Sequence, residues 1–341
     1  MASSAYILGG PVREFEDEFA RYCGVDHAIG VANGTDAVEL ALRAVGVGRG
    51  DEVIVPANTF IATALAAHRA GADVRFVDIE PRTQLLDPKL LDDAIGPRTK
   101  AVVPVHLYGQ IAPMKAVVEV AAAHGVAVVE DGAQCQGATQ DGHAMGHLGA
   151  ACATSFFPGK NLGAYGDAGA VITRHPDVAA HLRALRNYGS ETKYDHPLIG
   201  FNSRLDTLQA VVLSAKLRQL DDWNRKRRAA ADQYNDLLHD LDKVTLPVVA
   251  EGNVHVWHLY VVRVPDRDRV LAHLHAQQIL AGVHYPTIVP LQGAFRTDGY
   301  DESTFPVAHE ASREILTLPL YPGITADQQE RVVATLAEAL Q

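Results

Sequence analysis

The most informative stretch of the chain is residues 154–169, which read TSFFPGKNLGAYGDAG. A short apolar run ends in two aromatic residues, and Lys160 then follows in a loop rich in glycine. A lysine in a surface loop is usually only a solvated charge. Apolar and glycine-rich flanks instead favour a lysine beside a cleft, where desolvation or a nearby cation lowers its pKa and frees its amine for Schiff-base chemistry.

The sequence before and after this stretch alternates between short apolar runs and helical patterns. Most of the runs lack polar alternation, as expected of strands that are covered on both faces. The predicted strands are residues 53–55, 74–77, 101–105, 126–129, 154–156 and 169–172, and the helical patterns between them include 36–45, 61–70 and 114–124. This order predicts an α/β fold in which a mainly parallel sheet is flanked by helices on both sides.

The last third of the chain follows a different plan. A long helical pattern covers residues 205–242, and residues 246–253 then interrupt it. The remainder predicts a strand at 257–264, a helix at 268–278, a short strand at 283–285 and a closing helix capped by Thr325 and Gln328. We therefore expect a large domain at 1–242, which includes a long connecting helix, and a small α+β domain at 243–341.

Composition excludes several classes of protein. Of 341 residues, 48% are apolar and 21% charged, so the chain can bury a sizeable core. The net charge of −11 argues against a nucleic-acid-binding protein. Three scattered cysteines suit a reducing compartment, and no apolar run reaches the ~20 residues of a membrane span. We expect a cytoplasmic protein that binds neither nucleic acid nor membrane.

A candidate phosphate site lies near the N-terminus, at residues 33–36, which read NGTD before an apolar-periodic helix. Gly34 allows the backbone to approach a ligand closely, and Thr35 offers a hydroxyl and an amide. The free N–H groups at the start of a helix favour an anion. A plain helix N-cap is the alternative interpretation.

A candidate carboxylate site lies at residues 126–134, where an apolar strand ends in Glu130 and Asp131. Ligands of parallel α/β sheets bind at the carboxyl ends of strands. A carboxylate there can pair with a protonated heterocyclic nitrogen, which offsets the cost of burying the charge. A helix-capping aspartate is the alternative. No histidine or cysteine stands at ligand spacing beside the pair, so we expect no metal.

These segments, in this order, resemble the DegT/DnrJ/EryC1/StrS sugar aminotransferases. That group uses pyridoxal phosphate (PLP) on the aspartate aminotransferase fold, or fold type I, whose large domain has a seven-stranded type of sheet. The resemblance runs from about Phe15 to the C-terminus. It also includes residues 56–60 (PANTF), 104–109 (PVHLYG), 187–189 (NYG), 200–206 (GFNSRLD) and 284–286 (HYP).

The resemblance implies roles in cofactor binding for eight residues. Lys160 would hold the cofactor as a Schiff base and move a proton between donor and cofactor. Asp131 would keep the pyridine nitrogen protonated, so that the ring accepts electrons. The other implied contacts are Gln134 to the phenolic oxygen, Gly34, Thr35 and Ser155 to the phosphate, Phe60 to the ring face, and Asn202 to the phosphate in the neighbouring subunit. The last contact implies a homodimer with shared active sites.

Candidate substrate contacts are less specific, because a histidine or tyrosine at a loop edge is often structural. They are His106, Tyr108, Tyr188, His284 and Tyr285. One departure from the family also bears on the substrate. Where many relatives carry a second proline and a histidine after the small-domain strand, this chain has Ile288 and Pro290. The chain also begins late relative to the family, so we expect a short or missing N-terminal segment.

The resemblance implies a PLP-dependent transamination. The amino group would pass from L-glutamate, or glutamine, to a keto sugar linked to dTDP or UDP. The loop after Lys160 resembles members that act at C3 of a 6-deoxyhexose more than those that act at C4. Three alternatives stay open. A sugar dehydratase would carry histidine in place of Lys160, a non-catalytic member would lack the cofactor set, and a nicotinamide oxidoreductase would need a Gly-x-Gly-x-x-Gly motif after a strand.

Overall fold

The structure is a computed structural model that describes residues 6–192, 194–296 and 299–341. Its strands are β1 (His27–Val31), β2 (Glu52–Pro56), β3 (Asp73–Val77), β4 (Thr99–Val102), β5 (Ala127–Asp131), β6 (Thr139–Gln140), β7 (His143–Ala144), β8 (Ala151–Ser155), β9 (Gly169–Thr173), β10 (Asn253–Val254), β11 (Tyr260–Arg263) and β12 (Ile315–Leu318). Its α-helices are α1 (Gly10–Cys23), α2 (Gly34–Ala44), α3 (Ile61–Ala70), α4 (Leu91–Ala94), α5 (Met114–Ala123), α6 (Pro176–Leu185), α7 (Thr207–Leu217), α8 (Leu220–Leu238), α9 (Arg267–Ala276), α10 (Pro306–Glu314) and α11 (Ala326–Ala339).

A seven-stranded sheet forms the centre of the molecule, in the order β1-β9-β8-β5-β4-β2-β3. Strands β3, β2, β4, β5 and β8 are parallel, and β9 pairs antiparallel with both β8 and β1. This confirms the predicted α/β fold with a mainly parallel sheet. The six predicted strands are all present in it, with end shifts of a few residues. β1 is missing from the sequence prediction, because its run of five residues contains a histidine and a glycine.

Helices cover both faces of this sheet. Neighbouring residues of β2 separate the two cores, since Ile54 packs on one side and Val53 and Val55 pack on the other. Helices α1, α5 and α7 contribute to the first core, and α2, α3 and α6 contribute to the second. Strands buried on both faces need no polar residues, which explains their continuous apolar runs.

The single long helix predicted at 205–242 is wrong, because the structure has α7 and α8 there, separated at Arg218 and Gln219. The physical reason is that the two halves pack in different cores. Leu213 of α7 packs with α1 beneath the large sheet, whereas Tyr234 and Leu238 of α8 pack with the C-terminal elements. One straight helix would not serve both cores.

The C-terminal elements form a third core around the antiparallel pair β11–β12, with α8, α9 and α11 packed against it. The predicted capping box of α11, Thr325 with Gln328, is confirmed. The prediction of a short strand at 283–285 is wrong, since the pairing near these residues is a single bridge between Gly282 and Thr317.

The predicted domain boundary after residue 242 stays a prediction. Contacts cross it in both directions, because α8 belongs to the C-terminal core and β10 pairs with β6. Among the described residues, no helix combines the length and apolar character that crossing a membrane would need.

Candidate active site

A cavity of about 540 Å³ opens at the carboxyl ends of the parallel strands. Asp131 at the end of β5, Ser155 at the end of β8 and the N-terminus of α2 form its floor, and Lys160 borders it from the following loop. His284 and Tyr285 from the C-terminal part of the chain complete its wall. The cavity therefore brings together the three segments that the sequence singled out, although 120 or more residues separate the first from the last.

Asp131 is buried and held by a defined set of donors. Its Oδ2 accepts a hydrogen bond from Thr63 Oγ1 at 2.7 Å, and its Oδ1 accepts one from the Ala133 N–H at 3.1 Å. Thr63 Oγ1 in turn lies 2.8 Å from Thr59 Oγ1. These bonds fix the orientation of the carboxylate at the cavity floor, where it can pair with a cationic group of a ligand.

Lys160 is partly buried beside this carboxylate. Its backbone N–H donates to Phe157 O at 2.8 Å, which closes a tight turn after β8. Burial lowers the pKa of the Lys160 ammonium, while the charge of Asp131 partly opposes this shift. In the described ranges, no hydrogen bond or ion pair engages the Lys160 Nζ. A desolvated and unpartnered amine is suited to act as a nucleophile.

The start of α2 forms a close cradle with the end of β8. Asn33 caps the helix, since its Oδ1 accepts a hydrogen bond from the Asp36 N–H at 2.8 Å. A Cβ on Gly34 would lie 2.5 Å from the Cβ of Ser155, so only glycine fits without movement. Gly34, Thr35 and Ser155 all border the cavity. The N-cap interpretation is thus confirmed for Asn33, and the phosphate interpretation stays a prediction, since free N–H groups and hydroxyls at a helix start suit an anion.

Gln134 is oriented by two tyrosines. Its Oε1 accepts a hydrogen bond from the Tyr108 N–H at 2.7 Å, and its Nε2 donates one to Tyr285 Oη at 3.2 Å. Tyr108 Oη donates to His284 O at 2.5 Å. This ring of bonds ties the loop after β4 to the C-terminal wall and leaves one N–H of the Gln134 amide for a ligand.

Tyr285 also contacts the predicted ring-stacking residue. The ring of Phe60 is 51% exposed and lies 5.2 Å from the Tyr285 ring, at the cavity mouth. Burial first and the charge of Asp131 second raise the pKa of Tyr285 to about 12, against the hydrogen bond from Gln134. Tyr285 therefore stays protonated at neutral pH and can donate a hydrogen bond into the cavity.

Four predicted site residues do not line this cavity, among them the buried Tyr108, whose hydroxyl is bonded to His284 O. His106 is wholly buried, and its Nε2 pairs with Glu130 Oε2 at 2.9 Å while its Nδ1 accepts from the Ala112 N–H. The structure therefore does not support His106 as a substrate contact. Tyr188 lies at the surface, with the Arg204 guanidinium over its ring. Asn202 is exposed and outside the cavity of its own chain. Its predicted contact with a partner's cofactor stays a prediction.

Sequence spacing misses one cluster of possible metal ligands. Within the described residues, ligand atoms of His106, Glu130 and Cys152 lie within 4.8 Å of one another. The Glu130 carboxylate also accepts hydrogen bonds from the N–H groups of Gly146 and Gly149. Because protein groups already satisfy this carboxylate and both imidazole nitrogens, with Nδ1 accepting from Ala112 and Nε2 donating to Glu130, the cluster serves to hold two loops beneath the site.

Sequence reasoning also misses cavity residues that only the fold brings in. Thr59 and Thr63 face Asp131 from α3 and the turn before it, and His258 borders the cavity from the segment before β11. Thr59 lies in the 56–60 segment of the resemblance but has no implied role there, and nothing in the local sequence marks Thr63 or His258. His258 lies 98 residues from Lys160 in the chain and reaches the cavity through the packing of the C-terminal part.

Comparisons with known proteins match nearly the whole chain to one family. Residues 1–337 match the DegT/DnrJ/EryC1/StrS aminotransferase family. Over 334 residues, 98% of this chain and 91% of the relative, the sequence is 48% identical to the erythromycin biosynthesis sensory transduction protein EryC1 of Saccharopolyspora erythraea. Over 338 residues, 98% and 89% of the two chains, it is 46% identical to dTDP-3-amino-3,4,6-trideoxy-alpha-D-glucose transaminase of Streptomyces venezuelae.

Solved structures resemble the whole chain. The crystal structure of S. venezuelae DesV in complex with a ketimine intermediate superposes with a TM-score of 0.97 at 46% identity, and the match covers 100% of this chain and 92% of that one. The structure of NtdA from Bacillus subtilis with bound cofactor PMP gives a TM-score of 0.93 at 32% identity, with 99% and 79% covered. The fold is therefore fold type I, as the sequence predicts.

Proposed function

The chain belongs to the DegT/DnrJ/EryC1/StrS aminotransferase family, and on this basis we propose that it transfers the amino group of L-glutamate to C3 of a keto-6-deoxyhexose linked to dTDP or UDP. The observation that carries the proposal is the cavity in which Lys160, Asp131 and the Gly34–Ser155 cradle converge. The S. venezuelae relative is named as a transaminase of a dTDP-3-amino sugar, which supports amination at C3 and dTDP as the nucleotide.

The residues of the cavity fit pyridoxal phosphate. A cradle at the start of α2 suits the phosphate, a buried carboxylate at Asp131 suits a protonated ring nitrogen, and an amine at Lys160 suits an aldehyde. The three groups border one space of about 540 Å³. We therefore assign Gly34, Thr35 and Ser155 to the phosphate, Asp131 to the ring nitrogen and Lys160 to the covalent link.

The chain's own residues would then divide the work. Pyridoxal phosphate supplies an electron sink that stabilises negative charge at the carbon bearing the transferred amino group. Asp131, oriented by Thr63, keeps positive charge at the ring nitrogen. Lys160 Nζ takes the proton from the α-carbon of glutamate in the first half-reaction and delivers one to the sugar carbon in the second. The lowered pKa of Lys160 favours the neutral amine that accepts such a proton.

The surface beside the cavity supports a homodimer. Large apolar side chains are exposed there, with Phe157, Tyr165, Leu208 and Val211 each more than half exposed. Contiguous exposed apolar surface marks an interaction site. A second copy of the chain would cover this surface and bring its Asn202 to the neighbouring phosphate. Tyr188, which is exposed in the segment 187–189, is a second candidate for a contact with the partner subunit.

Two observations bear on the alternatives. A dehydratase of this family would carry histidine at position 160, and this chain has lysine. The S. erythraea relative is named a sensory transduction protein, and this name favours the hypothesis of a non-catalytic member. Such a member has no need of the donor set around Asp131 and Lys160, and the chain retains it. Transfer at C4 rather than C3 stays open to the experiment below.

The proposal is tested by incubating the purified protein and PLP with glutamate and a panel of 3-keto and 4-keto sugars, each linked to dTDP or UDP. We expect visible absorption that bleaches when glutamate is added, and a product whose mass shows that an amino group has replaced the oxygen of a 3-keto sugar. Product from 4-keto sugars alone would overturn the C3 assignment. A protein that stays colourless with PLP would overturn the proposal as a whole.

A further inference from the structure

A chain of amide hydrogen bonds reaches from the core to the imidazole of His258. Asn224 Nδ2 donates to Gln136 O at 2.9 Å, which fixes Asn224 Oδ1 as an acceptor. Asn161 Nδ2 then donates to that Oδ1 at 2.9 Å and to Val256 O at 3.0 Å. The amide group of Asn161 is thereby oriented, and its Oδ1 faces His258 Nδ1 at 3.2 Å.

This series of hydrogen bonds determines the tautomer of His258. Because Asn161 Oδ1 can only accept, His258 Nδ1 must carry the hydrogen. In the neutral ring, Nε2 is then an acceptor with a free lone pair. No residue in the described ranges makes a hydrogen bond to Nε2, and the imidazole borders the same cavity as Lys160.

The position of His258 is fixed from behind as well. The buried guanidinium of Arg227 donates to Trp257 O at 3.0 Å and to His258 O at 3.4 Å. The Leu259 N–H donates to Tyr108 O at 3.2 Å. The segment that carries His258 is therefore attached to α8 on one side and to the loop of Tyr108 on the other, and the imidazole has little freedom to leave the cavity wall.

The imidazole is held neutral. Burial lowers the pKa of His258 well below its usual value, and the charges of Lys160 and Arg227 and the nearby His284 and His255 add to this. A neutral imidazole beside Lys160 adds no positive charge to the cavity and can accept a hydrogen bond from an amine.

In the structure, the described side chains of Lys160 and His258 border one cavity without a hydrogen bond between them. We infer that His258 is a positioning residue for Lys160: the free Lys160 amine turns to donate a hydrogen bond to His258 Nε2. Lys160 has no other side-chain partner in the described part of the chain, so its flexible four-carbon stem would otherwise sample several orientations. Holding Nζ in one orientation raises the rate of proton transfer at the substrate carbon. The inference rests on the proposed transamination for its effect on rate, but not for the hydrogen bond itself.

Three substitutions separate positioning from packing. His258→Phe keeps the ring volume without an acceptor, and His258→Asn keeps a donor towards Asn161 but ends short of the Nε2 position. His258→Gln places an oxygen near that position. With glutamate alone, we expect the bleaching rate to fall on the order of 10–100-fold in the Phe and Asn variants and to recover to within a few-fold of wild type in the Gln variant. The KM for glutamate and for the sugar should change little.

His255→Asn is the matched control. His255 stacks on Trp257 in the same segment and lies outside the cavity, and the asparagine oxygen takes the place of Nδ1 as acceptor for the backbone N–H of Trp257. We expect a wild-type rate from it. Equal rates in wild type and in both the Phe and Asn variants, or a raised KM at unchanged kcat, would overturn the inference, since His258 would then be neutral to the reaction or a substrate contact.

A measurement on the apoprotein tests the hydrogen bond without any activity. We expect ¹⁵N NMR of histidine-labelled protein, assigned by the signal lost in His258→Gln, to show His258 with Nδ1 protonated and Nε2 bare between pH 6 and 8. Lys160→Met should move the Nε2 resonance. A protonated Nε2, or a resonance indifferent to Lys160→Met, would refute the inference. An inactive wild type with the expected spectrum would instead refute the proposed function alone.

Discussion

Folding places the Lys160 amine in a desolvated environment, although an ammonium group is most stable in water. Burial lowers its pKa, and Asp131 offsets only part of that shift. A group whose folded pKa is lowered binds fewer protons in the native state than in the unfolded state. The folded apoprotein is therefore less stable at neutral pH than it would be with a neutral side chain at this position.

Lys160→Met should make this cost visible as a pH dependence. Below the native pKa of Lys160, we expect the variant apoprotein to be the more stable, since it buries no charge. As pH rises through the lowered native pKa towards the unfolded value of about 10.5, wild type gains stability and the difference shrinks. Chemical unfolding of both apoproteins between pH 7 and 10 measures this difference. A gap that widens with pH would contradict the lowered pKa.

At the scale of elements, the site depends on how closely α2 meets the end of β8. Gly34 is the first residue of α2 and lies directly against Ser155. Gly169, at the start of β9, packs against the Asn33 backbone. A Cβ at position 169 would lie 2.5 Å from Asn33 O. Two glycines thus allow three elements to meet at one point, where the helix N–H groups are available to an anion.

Gly34→Ala should weaken cofactor binding more than it weakens the fold. The added methyl group must displace Ser155, and overpacking of this kind costs about 1–3 kcal/mol. If the cost falls on the phosphate cradle, the Kd for PLP should rise on the order of 10–100-fold, as measured by absorbance titration. Gly48→Ala is the control, because a Cβ there meets nothing within 4 Å. Unchanged affinity in Gly34→Ala would argue against a phosphate at this helix start.

At the scale of the whole molecule, the cavity adjoins exposed apolar side chains, since Phe60 and Phe157 line it and are each more than half exposed. Asn202 lies on the described surface without a role in its own chain's cavity. A closed two-fold dimer would use the same surface of each copy, so each protomer would give Asn202 and receive it. The two cavities of such a dimer would each contain residues of both chains.

Mixed dimers test this arrangement. Lys160→Ala disables the cavity of its own protomer, and Asn202→Asp places a negative charge against the phosphate of the partner's cofactor. Unfolding and refolding an equal mixture of the two inactive variants should restore about a quarter of wild-type activity, because half of the dimers are mixed and each has one intact site. If the mixture is no more active than the separate variants, Asn202 contacts the phosphate in its own protomer or contacts no cofactor phosphate at all.

The sequence by itself determines the α/β fold and the positions of Lys160, Asp131 and the Gly34–Thr35 turn, because each lies where an apolar strand ends or a periodic helix begins. Those local signals survive folding since strand ends and helix starts are fixed by neighbouring residues. Only the tertiary structure decides which other side chains reach them. In the folded protein, His106 is buried and paired with Glu130. The helix predicted at 205–242 is interrupted at 218–219, because its halves pack in different cores. His258 lies at the cavity. These outcomes depend on packing between segments far apart in the chain, and no local pattern encodes such contacts.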